Sequence, residues 1–355
     1  MPTKHIWVIC LLFLCWIQPE TGARASQPDT AYILKYPEQL HLGTGLQTNN
    51  SAIVLTDINN QYVLFLSPRR SLQQFLKVEY RGMAFKYGVS PDYLNPDISA
   101  LTGRNTRKSF GYDFGLGPLG LSVSYERSKG YFVENTADFD TSWKPGQPYI
   151  QLNNLQSVLY GVQLSYNVRK KFSEAAVNSC RERQLKPSYS FIPGLAINHI
   201  MYSNTVPGSD SFAGQTRYLD CNARLLMAGA LPLLRHKLQL SAIAGPVIGI
   251  SFVRDRTYTL PKFSEQEART TVMSLGLLYN IGLSFNTRHW YMGINMFAEQ
   301  YGSKLSGIQL VKSFYGVELY TGVRFPAPKP VKTAADWGFK QIDHFNPLKT
   351  ARHSK

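Results

Sequence analysis

Near the C-terminus the stretch YGVELYTGVRF, residues 315–325, alternates apolar side chains with polar or small ones for eleven positions. Successive side chains of an extended strand point to opposite faces, so this pattern builds a strand with one greasy face and one polar face. The signature returns in SVLYGVQLSYNV (157–168), where Val158, Tyr160, Val162, Leu164, Tyr166 and Val168 share one face and Ser157, Gly161, Gln163, Ser165 and Asn167 the other. Residues 270–286 set Met273, Leu275, Leu277, Tyr279, Ile281, Leu283 and Phe285 against Ser274, Gly276, Asn280, Gly282 and Ser284. An ordinary strand has about 5 to 6 residues, whereas a tilted membrane-spanning strand needs about 9 to 11. These runs have the second length.

The polar face separates a soluble sandwich from a membrane barrel. A sandwich strand turns charged side chains to water, while these strands turn Gly, Ser, Asn and Gln, the content of a crowded, hydrated lumen. Aromatic residues make up 13% of the chain, and Tyr125, Tyr131, Tyr160, Tyr166, Trp290, Tyr291 and Tyr301, near strand ends, are expected to form interfacial girdles. The competing reading is a soluble all-β protein with tyrosine in its core.

Connection lengths support the barrel. Read back from the C-terminus they alternate long and tight: 302–308, NTRH at 286–289, 255–268, 231–236 and 204–213, then, past 170–186, 130–153, GLGP at 115–118, 90–106 and the pair Arg81-Gly82. Outer-membrane barrels alternate long external loops with short periplasmic turns, and an even strand number follows from two periplasmic termini. Only 170–186 departs, as a long periplasmic connection. The predicted fold is an all-β, transmembrane antiparallel up-and-down barrel of about 12 strands between about residue 52 and Phe325. Ten or 14 strands stay open because Asn59-Asn60 has hairpin-turn character within 39–66.

The N-terminus agrees. Lys4, the apolar run Ile6–Ile17 and a small-x-small site ending at Ala25 read as a signal peptide. Twelve apolar residues fall short of the roughly 20 that a spanning helix needs, and LFL before Cys15 lacks the small residue that a lipid-attached cysteine requires. After Ala25 no apolar run reaches 18 residues. The expected divisions are a signal peptide at 1–25, a lead at 26–38, a barrel at 39–325 and a basic tail at 326–355, in the outer membrane of a Gram-negative cell.

Lys4, Arg24 and Glu20 leave with the signal peptide, so the formal charge of +15 falls by one, to +14. The cations are spread along the chain rather than massed, and an exported protein rarely meets nucleic acid. Outer-membrane lipid and lipopolysaccharide are the expected partners, with an anionic small solute or a periplasmic envelope component besides. A monomer is expected. Cys180, in a periplasmic connection, and Cys221, near the external end of a strand, sit about a membrane thickness apart and are expected to stay unpaired.

Two elements carry a family resemblance. Lys129, Gly130, Tyr131 and Phe132 follow a strand, and a second element comprises Lys171, Phe172, Ser173, Ala175, Glu182, Arg183, Gln184 and Lys186. In both, residues 32–325 resemble the bacterial family called domain of unknown function 4421. The resemblance implies an outer-membrane barrel with no assigned activity, so no catalytic residue carries over. Glu174 and Ala175 stand where the family pattern has an aromatic residue and an arginine.

Projecting each strand inward gives Asp113, Glu126, Arg224, Glu299, Glu318 and Arg324 as charged lumen candidates. Ionised groups in a confined lumen need partners, so mixed signs point to salt-bridged filling of a narrow barrel. Lys170, Lys171, Arg181, Arg183 and Lys186 make 170–186 net +3, with Ser173 placed as a helix cap. The segment reads as a short helix closing the barrel, a docking surface or a solvated turn. The tail opens Pro-rich, which favours an extended linker.

No catalytic residue, cofactor motif or metal-ligand spacing is found. His199 and Ser203 share one strand face, but four residues of strand are about 13 Å, too far for a nucleophile and its base, so a lipid hydrolase is the remotest reading. The leading expectation is transport of small solutes, or envelope interaction, through a narrow mixed-charge lumen. The alternative is a closed docking barrel acting through basic periplasmic segments.

Overall fold

The computed structural model describes residues 31–57, 62–68, 72–95, 99–103, 106–204, 213–259, 264–305 and 308–344. The expected signal peptide and its cleavage site lie outside them. The strands are β1 (Ile33–Lys35), β2 (Gln39–Asp57), β3 (Tyr62–Pro68), β4 (Leu72–Tyr80), β5 (Met83–Val89), β6 (Thr106–Leu116), β7 (Leu119–Val133) and β8 (Gln151–Tyr166), followed by β9 (Glu182–Gln184), β10 (Ser188–Asn204), β11 (Ala213–Leu233), β12 (Leu238–Thr259), β13 (Ser264–Asn286), β14 (Trp290–Leu305) and β15 (Ile308–Pro326). Among the described residues three α-helices accompany them: α1 (Ser99–Thr102), α2 (Glu174–Asn178) and α3 (Lys329–His344).

Twelve antiparallel strands close into a barrel: β2 and β4 to β8, then β10 to β15, with β15 pairing back onto β2 from Ile308↔Asp57 to Pro326↔Gln39. The count matches the sequence reading, but the first strand begins at Gln39 rather than near residue 52, because residues 39–57 form one continuous strand. The external connections predicted at 255–268 and 302–308 are shorter than expected, since β12 runs to Thr259, β13 starts at Ser264, β14 runs to Leu305 and β15 starts at Ile308. A hairpin in water can pair with polar residues on both faces, so apolar alternation marks only the part of a strand that lipid touches.

The alternation resolves into two surfaces. Met273 is 71% exposed while the next residue, Ser274, is 3% exposed, and Leu275, Leu277, Tyr279, Ile281 and Leu283 continue the exposed row. That row is the lipid-facing wall. Tyr160, Tyr166 and Trp290 lie on it as expected for a girdle, whereas Tyr131, Tyr291 and Tyr301 are buried inside the barrel. The girdle assignment was wrong for these three because position near a strand end says nothing about face. Tyr291 follows Trp290 directly, so the pleat turns it the other way.

The barrel changes width along its axis. β5 and β6 are short: β5 ends at Val89 opposite Gln74, and β6 begins at Thr106 opposite Lys129. Beyond them β3, which pairs with β2, meets β7 through Leu66↔Val133 to Pro68↔Tyr131. The seam continues as Glu134 N donates to Phe65 O at 2.9 Å. At that level the ring is β2, β3, β7, β8 and β10 to β15, ten strands in place of twelve. Diameter grows roughly in proportion to strand number, so the outer ring is about five-sixths as wide as the inner one.

The narrowed ring is filled. Ile53, Leu66, Val133, Ile200, Tyr218, Val253 and Val272 form one buried apolar cluster, packed by Leu152, Leu155, Leu159, Tyr202 and Phe314 among others. Nine of the ten strands contribute, so the cluster crosses the lumen. At the opposite, wider end, 170–186 turns into the barrel. The cap is as expected: Ala176 N donates to Ser173 Oγ at 2.9 Å. Among the described residues neither Cys180 nor Cys221 is in a disulfide. The tail departs from the extended linker predicted for it, because α3 occupies 329–344. Its Pro330 stands in the first helical turn, where a missing N–H costs nothing.

Candidate functional site

The functional candidate is the plugged lower lumen. Phe172, Ala176 and Val177 of the plug are buried. Phe172 and Val177 pack on an inward apolar patch of Ile192, Leu226, Ala228, Ala230 and Ile243 from β10 to β12. Gln184, fully buried, ties the plug together. Its Oε1 accepts from Ser173 N at 3.0 Å, while its Nε2 donates to Lys171 O at 2.7 Å and to Tyr32 O at 3.2 Å. β9 pairs with β1 below the ring, and Lys35 meets Glu182 at 2.9 Å.

The wall grips this plug from several sides. Gln239 Nε2 donates to Ala176 O at 3.1 Å. Asn286 Nδ2 donates to Glu182 O at 3.1 Å. Arg181 donates to Gly82 O in the β4–β5 turn. Arg324 donates to the carbonyls of Cys180 and Thr287. Exposed backbone acceptors in a confined site are costly without donors, and here wall side chains supply them.

A cavity of about 700 Å³ lies between the plug and the lumen wall, lined among others by His41, Glu79, Asp113, Gln163, Glu174, Arg181, Arg224 and Glu318. Burial pushes the Glu174 carboxyl above its usual range, against the lowering effects of the Ser165 hydrogen bond and the Arg181 charge. Burial likewise raises the Cys180 thiol.

The charged candidates lie inside, most of them paired. Arg224 meets Glu299 at 2.5 Å and also donates to Gln163. Glu318 meets Lys86 at 2.5 Å, and Glu126 meets Arg107 at 2.5 Å. Asp113 accepts from Ser122 Oγ, and Arg324 donates to the carbonyls of Cys180 and Thr287. Sequence reasoning missed Lys86 and Arg107, and with them Lys312, whose ammonium is 2.8 Å from Asp220 Oδ2 and 3.9 Å from the Tyr218 ring centre. It also missed fully buried Glu79, held by Lys77 at 2.9 Å with His41 at 3.7 Å. The signal was available: Asp220 shares the parity of Arg224, and Lys86 sits between outward-facing Phe85 and Tyr87.

Of the five basic residues singled out in 170–186, Lys170, Lys171 and Lys186 are exposed. Lys171 and Lys186 lie 4.8 and 5.0 Å from the Tyr32 ring centre. Arg181 and Arg183 turn to backbone acceptors, Gly82 O and Asn286 O. In the other resemblance element, Gly130 has φ 95° where the β7–β8 register slips between Lys129 and Tyr131, a bulge that suits glycine. Tyr131 OH donates to Ser157 Oγ at 2.6 Å. His199 faces outward and stacks on Tyr160 at 6.3 Å.

The family described as Domain of unknown function (DUF4421) matches residues 27–325. No curated protein matches this sequence. Among solved structures, the outer membrane protease OmpT of Escherichia coli is 8% identical, with 81% of this chain and 97% of that one covered at a TM-score of 0.35. The attachment invasion locus protein Ail of Yersinia pestis is 10% identical over 82% of this chain and 100% of its own, at a TM-score of 0.23. The beta domain of the Bordetella autotransporter BrkA is 11% identical over 79% and 98%, at 0.35. The chain is a closed antiparallel β-barrel of twelve strands.

Proposed function

This chain belongs to the Domain of unknown function (DUF4421) family, and from that premise we propose that it is a non-conducting outer-membrane barrel that docks an anionic envelope component at its periplasmic face. One observation supports the reading: residues 170–186 fill the lumen below, and the apolar cluster around Ile200 and Tyr218 crosses it above. The charged layer between them is largely paired internally.

What supports docking is the imbalance of charge at the periplasmic end. Arg169, Lys170, Lys171, Lys186, Arg235, Lys237 and Arg288 are exposed there. The nearby acids Glu38, Glu182 and Asp336 are already engaged by Arg81, Lys332 and Lys35. Unbalanced cations on one face favour an anionic partner, with affinity that falls as salt rises.

The second reading is gated transport, favoured by the cavity of about 700 Å³ between the plug and the lumen wall. Planar-bilayer recording separates them. The docking barrel stays electrically silent, and it stays silent when 170–186 is replaced by a short linker, because the apolar cluster remains. Channel steps in the native chain, or steps that appear on plug removal alone, overturn the closed reading. Sedimentation with isolated peptidoglycan, lost on changing Lys170, Lys171 and Lys186 to Glu, tests the docking arm.

A further inference from the structure

We propose that α3 is an in-plane membrane anchor that lies in the headgroup layer of the inner leaflet, inserts Trp337 among lipid chains and meets anionic phospholipid headgroups with its lysines. The premise is where the helix sits. It packs on Leu40, Tyr80, Met83 and Phe325 through Val331 and Ala335. Each of these wall residues is two positions from an exposed apolar residue on its own strand: Leu42, Val78, Phe85 and Val323. Positions two apart on a strand share a face, so α3 covers the lowest course of the lipid-facing wall and not the lumen mouth.

The direction of the helix follows from the same four residues. They belong to β15, β2, β4 and β5, which are successive neighbours in the sheet. A helix touching one level of four adjacent strands runs across them, hence parallel to the membrane plane. Lys332 to Glu38 at 3.0 Å and Asp336 to Arg81 hold it there.

The face turned away from the wall carries the chemistry. Val331 and Ala335 are four residues apart and form the wall-facing stripe. Trp337 comes two residues after Ala335, about 200° around the helix, and is 67% exposed. Lys340, about 140° from Ala335, is exposed beside it. An indole turned outward at the edge of an established lipid-facing surface, flanked by a lysine, is the arrangement of an interfacial helix. The tail as a whole has six Lys or Arg against two Asp, which selects anionic over zwitterionic headgroups. Inner-leaflet phospholipid is therefore the occupant.

The test uses full-length mature protein carrying Trp143→Phe and Trp290→Phe, which leaves Trp337 as its one tryptophan after removal of residues 1–25. It is reconstituted in vesicles of phosphatidylcholine with or without phosphatidylglycerol, containing lipid brominated near the headgroup end of the chains. The expected result is loss of Trp337 emission to brominated lipid, shielding from aqueous acrylamide, and stronger quenching with phosphatidylglycerol that Lys340→Glu weakens. Emission open to acrylamide and untouched by brominated lipid overturns the proposal. So does shielding that appears only when a periplasmic extract is added, which would seat a protein there. Equal quenching in wholly zwitterionic vesicles overturns the headgroup assignment. If the double-Phe background does not fold, the difference spectrum between native protein and Trp337→Phe reads the same quantity.

Discussion

Arg224 on β11 and Glu299 on β14 have two strands between them along the wall, yet Arg224 Nη2 donates to Glu299 Oε1 at 2.5 Å inside the barrel. Three strand spacings are about 14 Å along the wall, so the pair bridges the lumen as a chord. Confinement makes this possible, and in a confined site neither charge can turn to bulk water instead.

Removing one partner strands the other. Arg224→Ala is expected to cost about 3–5 kcal/mol of stability, while replacing both partners with apolar residues of similar volume is expected to cost far less. Urea unfolding of the single and double variants in lipid vesicles measures both. Additive losses would show that the pair is not a coupled unit.

Gln184 closes two hydrogen bonds within the plug and a third to Tyr32 O in the lead. Gln184→Ala leaves buried groups unpaired, at about 1–3 kcal/mol, and the loss is confined to the plug. Amide exchange in 170–186 should accelerate while β11 to β13 stay protected. Uniform acceleration along the chain would make Gln184 a global rather than a plug residue.

The Glu174 carboxyl is held above its ordinary value of 4.5, chiefly by burial. A carboxyl whose folded pKa is raised contributes stability below the unfolded value and loses that contribution as pH rises through the folded one. Compared with Glu174→Gln, the native plug should therefore match the variant near pH 4.5 and exchange faster toward pH 7.5. A gap that widens on acidification would reverse the sign and refute the assignment.

Arg324 holds the backbone carbonyls of Cys180 and Thr287, so Arg324→Glu should loosen the plug and leave ion flow unchanged in a silent barrel. Cys180 is fully buried with its thiol pKa raised by burial, and in a Cys221→Ser background it should resist maleimide. Labelling that appears with Arg324→Glu, and not with Arg235→Glu in an exposed turn, is the expected outcome. Equal protection in both variants would remove Arg324 from the plug's anchorage.

Much of this architecture was legible along the chain. Period-two alternation over 157–168, 270–286 and 315–325 identified membrane strands, parity placed Arg224 and Glu318 on the inner face, and Ser173 marked the start of α2. Parity also places Lys86, Arg107 and Lys312 on the inner face, where the apolar rows that mark the strands give no sign of them. For Tyr131, Tyr291 and Tyr301 strand-end position and parity disagree, and parity decides the face.

By itself the sequence determined what a two-residue period and short turns can specify: a closed antiparallel sheet, its greasy exterior, and which side chains face inward. These are local properties, carried by neighbours on one strand. The tertiary structure decided what depends on closure around an axis: the narrowing from twelve strands to ten, the partner each inner charge finds across the lumen, the inward turn of 170–186, and the lateral seat of α3 at the rim. Chords across a ring join residues far apart in the chain, and no periodicity along the chain encodes them.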